Sequence, residues 1–175
     1  MLAWLRLLLA CAAALGAAPA LADKLTFDHL LSPALKAALD DKDPKRIAYN
    51  AANPKYVTDL IAVRGKSAQD WREALVIIVR AREGKLKTAA AWEAELRTEA
   101  ARRCAALFTP IAQDAASTTF ARRSSGCPDG YPAQALYRVV AGPKSLFLLA
   151  AMSRDAWNEK EIEVWRAVLA SARID

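Results

Sequence analysis

Two apolar runs that meet at a Gly-Pro turn constrain the fold of this chain more than any other feature. Residues 135–154 read ALYRVVAGPKSLFLLAAMSR, with Gly142-Pro143-Lys144 as the turn. Aromatic and β-branched residues on both sides of such a turn predict a β-hairpin. Because both faces of the two strands are largely apolar, we expect the hairpin to be covered on both sides rather than to lie at an open edge.

The first 22 residues have the anatomy of a secretory signal peptide. Arg6 supplies a positive charge, residues 7–18 form a short apolar run, and Ala20-Leu21-Ala22 has the small-x-small form of a cleavage site. The apolar run is too short for a stable membrane span, and no later run is long and charge-free enough for one. We therefore expect cleavage after Ala22, leaving a single periplasmic or secreted domain over residues 23–175. The alternative is a lipidated Cys11, since the residues before it loosely resemble a lipobox.

The cysteines fit an exported protein. Once Cys11 is removed, Cys104 and Cys127 remain, so only one intramolecular bridge is possible. This disulfide would stabilise the fold by about 3 kcal/mol. The alternative is two separate buried thiols. The spacing excludes a CxxC redox pair, and His29, the only histidine, leaves too few ligands for a zinc site.

Apolar periodicity and turn residues predict the other strands and helices. The predicted strands are residues 45–51, Tyr56–Val63, Leu75–Val79 and Ser117–Arg123. A short helix over Ala34–Leu39 would begin after Ser32-Pro33, and a C-terminal helix would begin at Asn158, where Glu161 completes a near capping box. The sequence therefore predicts a mixed α+β domain.

A long helix is predicted from Thr88 to about Leu107. Its packed face would combine residues at spacings of three and four, namely Trp92, Leu96, Ala100, Cys104 and Leu107. Pro110 would end this element. Cys104 would then lie near the end of the helix, where it can be joined to a neighbouring strand.

Catalytic and metal-binding motifs are missing from the sequence. There is no G-x-S-x-G, no Gly-rich phosphate loop, and no cluster of residues with metal-ligand spacing. A pair of carboxylates that converge in space, as in a glycosidase, stays open. We expect no enzymatic activity, no cofactor and no metal.

The charge balance is moderately basic. The full chain has a net charge of +6 from 25 basic and 19 acidic residues, and loss of Arg6 with the leader makes it +5. Such a balance is compatible with an anionic partner, although ordinary surface charge is the alternative. Nucleic acid is not expected, because no strand pattern of interleaved aromatic and basic residues is present.

Two segments are candidates for a binding surface. Arg122 and Arg123 precede the loop 124–132, which contains Tyr131 and would be pinned by the disulfide; a pinned loop is preorganised for binding. Trp71 follows a turn with cationic residues, and an exposed Trp beside cations is typical of an interaction hot spot. For both segments the alternative is structural, with solvated arginines around a loop and a Trp that packs in the core.

The order of these elements resembles that of a set of small exported proteobacterial proteins. Asp70-Trp71-x-Glu73 before the strand at 75–79 resembles their W-x-E segment. Later features resemble the C-terminal half of these proteins. They are the helix with a cysteine, the Gly-Cys pair that follows it, the Tyr…Gly…Leu-Phe-Leu hairpin and the closing helix with a Trp. The arrangement is similar to the PsbP-like fold, and the resemblance covers roughly residues 56–174. It implies an antiparallel β-sheet with helices packed on its faces, and a non-catalytic role.

We therefore expect an exported, non-enzymatic interaction or accessory protein with one disulfide, whose partner is another envelope protein. An immunity or inhibitor protein that neutralises an envelope-targeted toxin or hydrolase is the first alternative. A small-ligand binder or an unrecognised enzyme is the second. The sequence leaves the oligomeric state open.

Overall fold

The computed structural model describes three parts of the chain, residues 23–41, 59–65 and 70–175. The expected signal peptide, the predicted strand at 45–51 and the first residues of the predicted strand Tyr56–Val63 lie outside the described residues. Within the described parts, no helix is both long enough and apolar enough to cross a membrane.

The elements confirm the α+β class. The strands are β1 (Leu25–Thr26), β2 (Asp59–Gly65), β3 (Trp71–Ala81), β4 (Ala105–Gln113), β5 (Ser117–Ser125), β6 (Gln134–Ala141), β7 (Ser145–Ser153) and β8 (Arg173–Ile174). The α-helices are α1 (Pro33–Asp40), α2 (Ala89–Ala101) and α3 (Glu159–Ala170), and a 3₁₀ turn spans His29–Leu31. Six strands form one antiparallel sheet in the order β2-β3-β7-β6-β5-β4, while β1 pairs with β8.

The predicted hairpin lies at the centre of this sheet. β6 and β7 pair with each other in the register Val140↔Phe147, and β5 and β3 flank them. Both strands are largely buried on both faces, as expected. In the turn, one carboxylate oxygen of Asp23 accepts hydrogen bonds from the backbone N–H groups of Lys144 and Ser145, at 2.8 and 2.7 Å. A Cβ at Gly142 would lie 2.6 Å from that oxygen, so a larger residue there would displace the Asp23 side chain from the turn.

Helices cover the sheet on both faces and create two cores. On one face, Trp92 of α2 packs in a cluster with Phe120, Val139 and Leu148. On the other face, α1 and α3 contribute the buried side chains Leu35, Trp165, Val168 and Leu169. Burial of each large apolar side chain contributes about 1.5–3 kcal/mol to the free energy of unfolding. Packing in the two cores therefore stabilises the position of the sheet between its helices.

Side-chain caps start the helices where the sequence predicts them. The Ser32 hydroxyl accepts from the N–H of Leu35 at 3.2 Å and precedes Pro33 in the first turn of α1. The Asn158 side chain accepts from the N–H of Glu161, whose carboxylate accepts from the N–H of Asn158 in return. This reciprocal capping box fixes the start of α3.

The predicted long helix is wrong beyond Ala101. The chain turns there, Cys104 lies in the turn, and β4 begins at Ala105 and pairs with β5 along its length. Leu107, expected on the packed helical face, lies on this strand and is 67% exposed. Pro110 lies within β4 instead of ending a helix, because β4 is an edge strand and can lack one N–H without losing a ladder bond. The strand pairing therefore overrides a spacing that is helical only by coincidence.

Candidate binding surface

The predicted disulfide is present. The Sγ atoms of Cys104 and Cys127 are 2.04 Å apart, joining the turn after α2 to the loop after β5. Disulfides form and persist in oxidising compartments, so the bridge fits a location outside the cytoplasm.

Arg122 does not lie on the surface of this loop. The residue is 5% exposed, and its guanidinium carbon lies 4.7 Å from the ring centroid of Tyr131 and 5.6 Å from that of Tyr137. It donates hydrogen bonds to the Tyr131 hydroxyl at 2.6 Å and to the carbonyl of Pro132 at 3.3 Å. The sequence correctly grouped Arg122 with Tyr131, but their contact is internal and ties the loop to the sheet.

Trp71 is also internal. Its strand begins at Trp71 itself, four positions before the expected start at Leu75, and the indole joins the α2-side core and is 8% exposed. The guanidinium of Arg154 lies 4.5 Å above the ring centroid. Core packing, the alternative considered for this residue, is therefore the arrangement that the structure shows.

Arg123 differs from its neighbour because side chains alternate along a strand. It lies on the opposite face of β5 from Arg122, is exposed, and pairs in register with Leu107 on β4 and Gln134 on β6. No carboxylate lies within ion-pair distance of its guanidinium among the residues that the structure describes. Of the four residues expected on a binding surface, Arg123 is the one that is exposed.

The surface around Arg123 is the part of the sheet that α3 leaves uncovered. Within the described residues, β4 contributes nothing to the core beneath α3, and β5 contributes only the partly buried Ala121. A cavity of about 150 Å³ opens between these strands and α3, where Thr109 and Arg123 face Ile162 and Arg166.

Two further arginines belong to this surface. Arg166 on α3 is exposed, and Arg138 on β6 lies on the same face because it pairs in register with Thr119, two positions from Ala121. Arg138 donates to the Thr119 hydroxyl at 3.2 Å, and its Nε is buried with no hydrogen-bond partner in the described chain. We define the arginine face by five residues, Leu107, Thr109, Arg123, Arg138 and Arg166.

The arginine face brings together three arginines that lack an ionic partner in the described parts of the chain. Over the described ranges its three arginines form no ion pair with a carboxylate, whereas many other arginines do, including Arg64, Arg72, Arg80, Arg97, Arg102 and Arg103. Hydrogen bonds from the Ala116 N–H and from Ser117 lower the pKa of Asp114, and the charge of Arg138 adds to this effect. The arginine face therefore has an excess of positive charge beside an exposed leucine.

Sequence reasoning missed a carboxylate centre on the same side of the sheet. Glu73 is 5% exposed, and its Oε1 accepts from the indole N–H groups of Trp157 at 2.9 Å and Trp165 at 2.5 Å. Arg64 forms an ion pair with Glu73 and contacts Glu161 at 3.2 Å. The two carboxylates thus converge, but Arg64 separates them and donors occupy their oxygens, so they lack the open geometry of an acid–base pair.

The described residues contain no group of three side chains that could hold a metal ion. The chain matches no protein-family model, and it has no significant match among curated proteins. Function must therefore be argued from the surfaces themselves.

Proposed function

We propose that this chain is an exported, non-enzymatic protein that binds another protein of the cell envelope through the arginine face. The observation that carries the proposal is the end of the sheet that α3 leaves uncovered, where Arg123 and Arg166 border a small cavity and have no carboxylate partner among the described residues. The expected leader, the disulfide and the resemblance to small exported proteins support the envelope as its location.

The composition of the arginine face suits protein recognition. Arginine is enriched in interfaces and at hot spots, since its planar group binds carboxylates through two parallel hydrogen bonds. An acidic partner would displace only water from Arg123 and Arg166, because neither is engaged by a described carboxylate. Leu107, 67% exposed beside Arg123, supplies apolar area that a partner would bury.

The edge of β4 is less suited to binding an extended strand. Pro110 removes one N–H donor, and the register shifts between Pro110 and Ala112. Such features protect edge strands from pairing with other chains. The proposal therefore places the partner on the face of the sheet rather than along its edge.

The test is capture of envelope proteins by the purified, disulfide-bonded protein. We compare the wild type with Arg123→Glu/Arg166→Glu and with Lys85→Glu/Lys87→Glu as the matched control. Lys85 and Lys87 are exposed outside the arginine face, and both double variants change the net charge equally. We expect one stoichiometric acidic protein partner that is lost in the arginine variant, retained in the lysine variant and released as salt increases.

Equal loss in both double variants would indicate binding by overall charge and would contradict a defined site. Full retention in the arginine variant would place the partner elsewhere on the molecule. If the captured partner is a hydrolase or toxin, inhibition of its activity by the wild type, but not by Arg123→Glu/Arg166→Glu, would establish the inhibitor version of this function.

A further inference from the structure

A second cavity lies on the opposite side of α3 from the arginine face. It has a volume of about 330 Å³, which is at the lower end of the range for small-molecule sites. Its walls are largely apolar and come from both ends of the chain, with Pro33 and Ala34 of α1, Val63 of β2, and Val164 and Trp165 of α3. With Glu73 of β3, four elements therefore converge on this cavity.

The polar end of the cavity is formed by two acidic and two basic residues. Glu73, Arg64, Glu161 and Lys160 all line it. Their formal charges cancel, so net charge does not select a ligand. The selection depends on which of these groups still has hydrogen-bonding capacity.

Each carboxylate oxygen of this cluster already accepts from at least one donor. Oε1 of Glu73 accepts from two indoles, and its Oε2 contacts Nε of Arg64. Oε1 of Glu161 contacts Nη1 of Arg64, while its Oε2 accepts from the backbone N–H of Asn158. All four carboxylate oxygens therefore have a donor from within the protein.

The donors are in excess. A guanidinium has five N–H groups and an ammonium has three, so Arg64, Lys160, the two indoles and the Asn158 N–H together offer about eleven donors against about eight acceptor lone pairs on the two carboxylates. The ammonium of Lys160 is exposed and forms no ion pair with a carboxylate of the described residues. A ligand that completes this cluster must bring acceptors rather than donors.

We infer that this cavity binds a small monocarboxylate with an apolar body. The carboxylate accepts from Arg64 and Lys160, and the body packs against Trp165, Val63 and Val164. Glu73 positions Arg64 for this contact, because the buried carboxylate holds the guanidinium at the mouth of the cavity. The site is independent of the arginine face and requires no protein partner.

The test uses three probes with the same apolar body and different head groups, namely phenylbutyrate, phenylbutanamide and phenylbutylamine. Titration of the isotope-labelled protein is followed through its indole N–H signals. We expect phenylbutyrate to bind with a dissociation constant of about 1 mM or lower and at least about tenfold more tightly than the other two. The Trp165 signal should shift, whereas the Trp92 signal on the other face of the sheet should not.

Two variants locate the site without disturbing the buried charges. Lys160→Gln removes an exposed donor and should weaken phenylbutyrate binding about threefold to tenfold. Ala34→Phe fills the cavity from an exposed position on α1 and should weaken binding at least about tenfold. Arg166→Gln, on the arginine face, should leave the dissociation constant unchanged.

Several results would overturn the inference. Equal affinity for the three probes, or tighter binding of phenylbutylamine, would show that the cluster does not select a carboxylate. Unchanged affinity in both cavity variants would place the probe elsewhere. Absence of binding by phenylbutyrate at about 10 mM would remove the site altogether, while leaving the capture experiment with Arg123→Glu/Arg166→Glu unaffected.

Discussion

Among the described residues, each face of the sheet buries one charged side chain, but the two charges are held in different ways. Beneath α3, Glu73 accepts from Trp157 and Trp165 and has Arg64 as a counter-ion. On the α2 face, Arg122 lies against Tyr131 and Tyr137 and has no carboxylate partner in the described chain. A buried charge requires compensation by hydrogen bonds or an opposite charge. Glu73 is therefore compensated by hydrogen bonds and a counter-ion, whereas Arg122 is compensated by hydrogen bonds to Tyr131 and Pro132 and by two aromatic rings.

This difference assigns different roles to the two centres. Glu73 joins β3 to α3 across 92 positions of sequence, so it fixes how the helix lies on the sheet. Arg122 joins β5 to a loop only nine positions away, so it fixes the loop beside the disulfide. Loss of the first should weaken the whole domain, and loss of the second should loosen one end of it.

The largest expected effect follows from Glu73→Ala. The change leaves two indole N–H groups without acceptors and Arg64 without its buried counter-ion, so we expect the free energy of unfolding to fall by about 3–5 kcal/mol. Urea denaturation measures it, and Glu73→Gln, which keeps an acceptor, should lose less. The matched control is Asp155→Ala, which breaks the exposed, bidentate pair with Arg72 and should lose much less. Equal losses in Glu73→Ala and Asp155→Ala would contradict a central role for Glu73.

Adjacent arginines provide the next test of the comparison. Arg122→Glu places a carboxylate between two tyrosines without a cation to pair with. We expect the free energy of unfolding to fall by about 3 kcal/mol. Arg123→Glu changes an exposed side chain on the other face and should alter stability by no more than about 0.5 kcal/mol. Thermal and urea unfolding of the two single variants measure both values. Similar losses would show that Arg122 is not held in a buried aromatic site.

Local patterns in the sequence predicted the hairpin, the caps at Ser32 and Asn158, and the disulfide. Each of these depends on residues close in sequence or on a count of cysteines. The end of α2 was predicted wrongly, because Leu107 continues the helical spacing while its pairing with Arg123 of β5 decides the structure. That pairing is non-local, so no window of neighbouring residues contains it.

The candidate site was predicted only in part. Strand alternation already implied that Arg122 and Arg123 face opposite sides, but which side is buried depends on where α2 and α3 pack. The other two arginines of the arginine face, Arg138 and Arg166, come from β6 and α3, which are distant from Arg123 in sequence. The indoles that donate to Glu73 lie more than 80 positions later in the sequence. The W-x-E pattern was therefore visible in the sequence, but the buried hydrogen bonds of Glu73 were not.

Reduction of the disulfide should have the third-largest effect on stability, and its structural changes should be confined to the loop that Arg122 contacts. The disulfide closes a loop with a sequence separation of 23, and we expect reduction to lower the free energy of unfolding by about 3 kcal/mol. Denaturation with and without a reducing agent measures the loss, and the Cys104→Ala/Cys127→Ala variant should not respond to the agent. In the reduced protein the Tyr131 ring signals should change more than the Trp165 indole signal. Equal changes at both would contradict the separation of the two centres.

The smallest effect concerns the proton on Tyr137, the ring beneath Arg122. Burial raises the pKa of its phenol to about 12, while the charge of Arg122 lowers it and Tyr131 raises it. An unfolded chain releases this proton near pH 10, as is usual for tyrosine. Stability that is fully present below pH 10 should therefore be lost as the pH rises towards 12, by at most about 1.4 kcal/mol per pH unit, because only the unfolded state is then deprotonated.

Near-ultraviolet absorbance of tyrosinate separates this residue from the others. The chain has four tyrosines, and we expect one of them to ionise late in the wild type. In Arg122→Met the late step should move to still higher pH, because the cation that favours the phenolate is gone. A single transition of all four tyrosines near pH 10 would show that the phenol of Tyr137 is not buried in solution. A late step unchanged by Arg122→Met would show that the cation and the ring do not interact, and the aromatic compensation of Arg122 would then rest on Tyr131 alone.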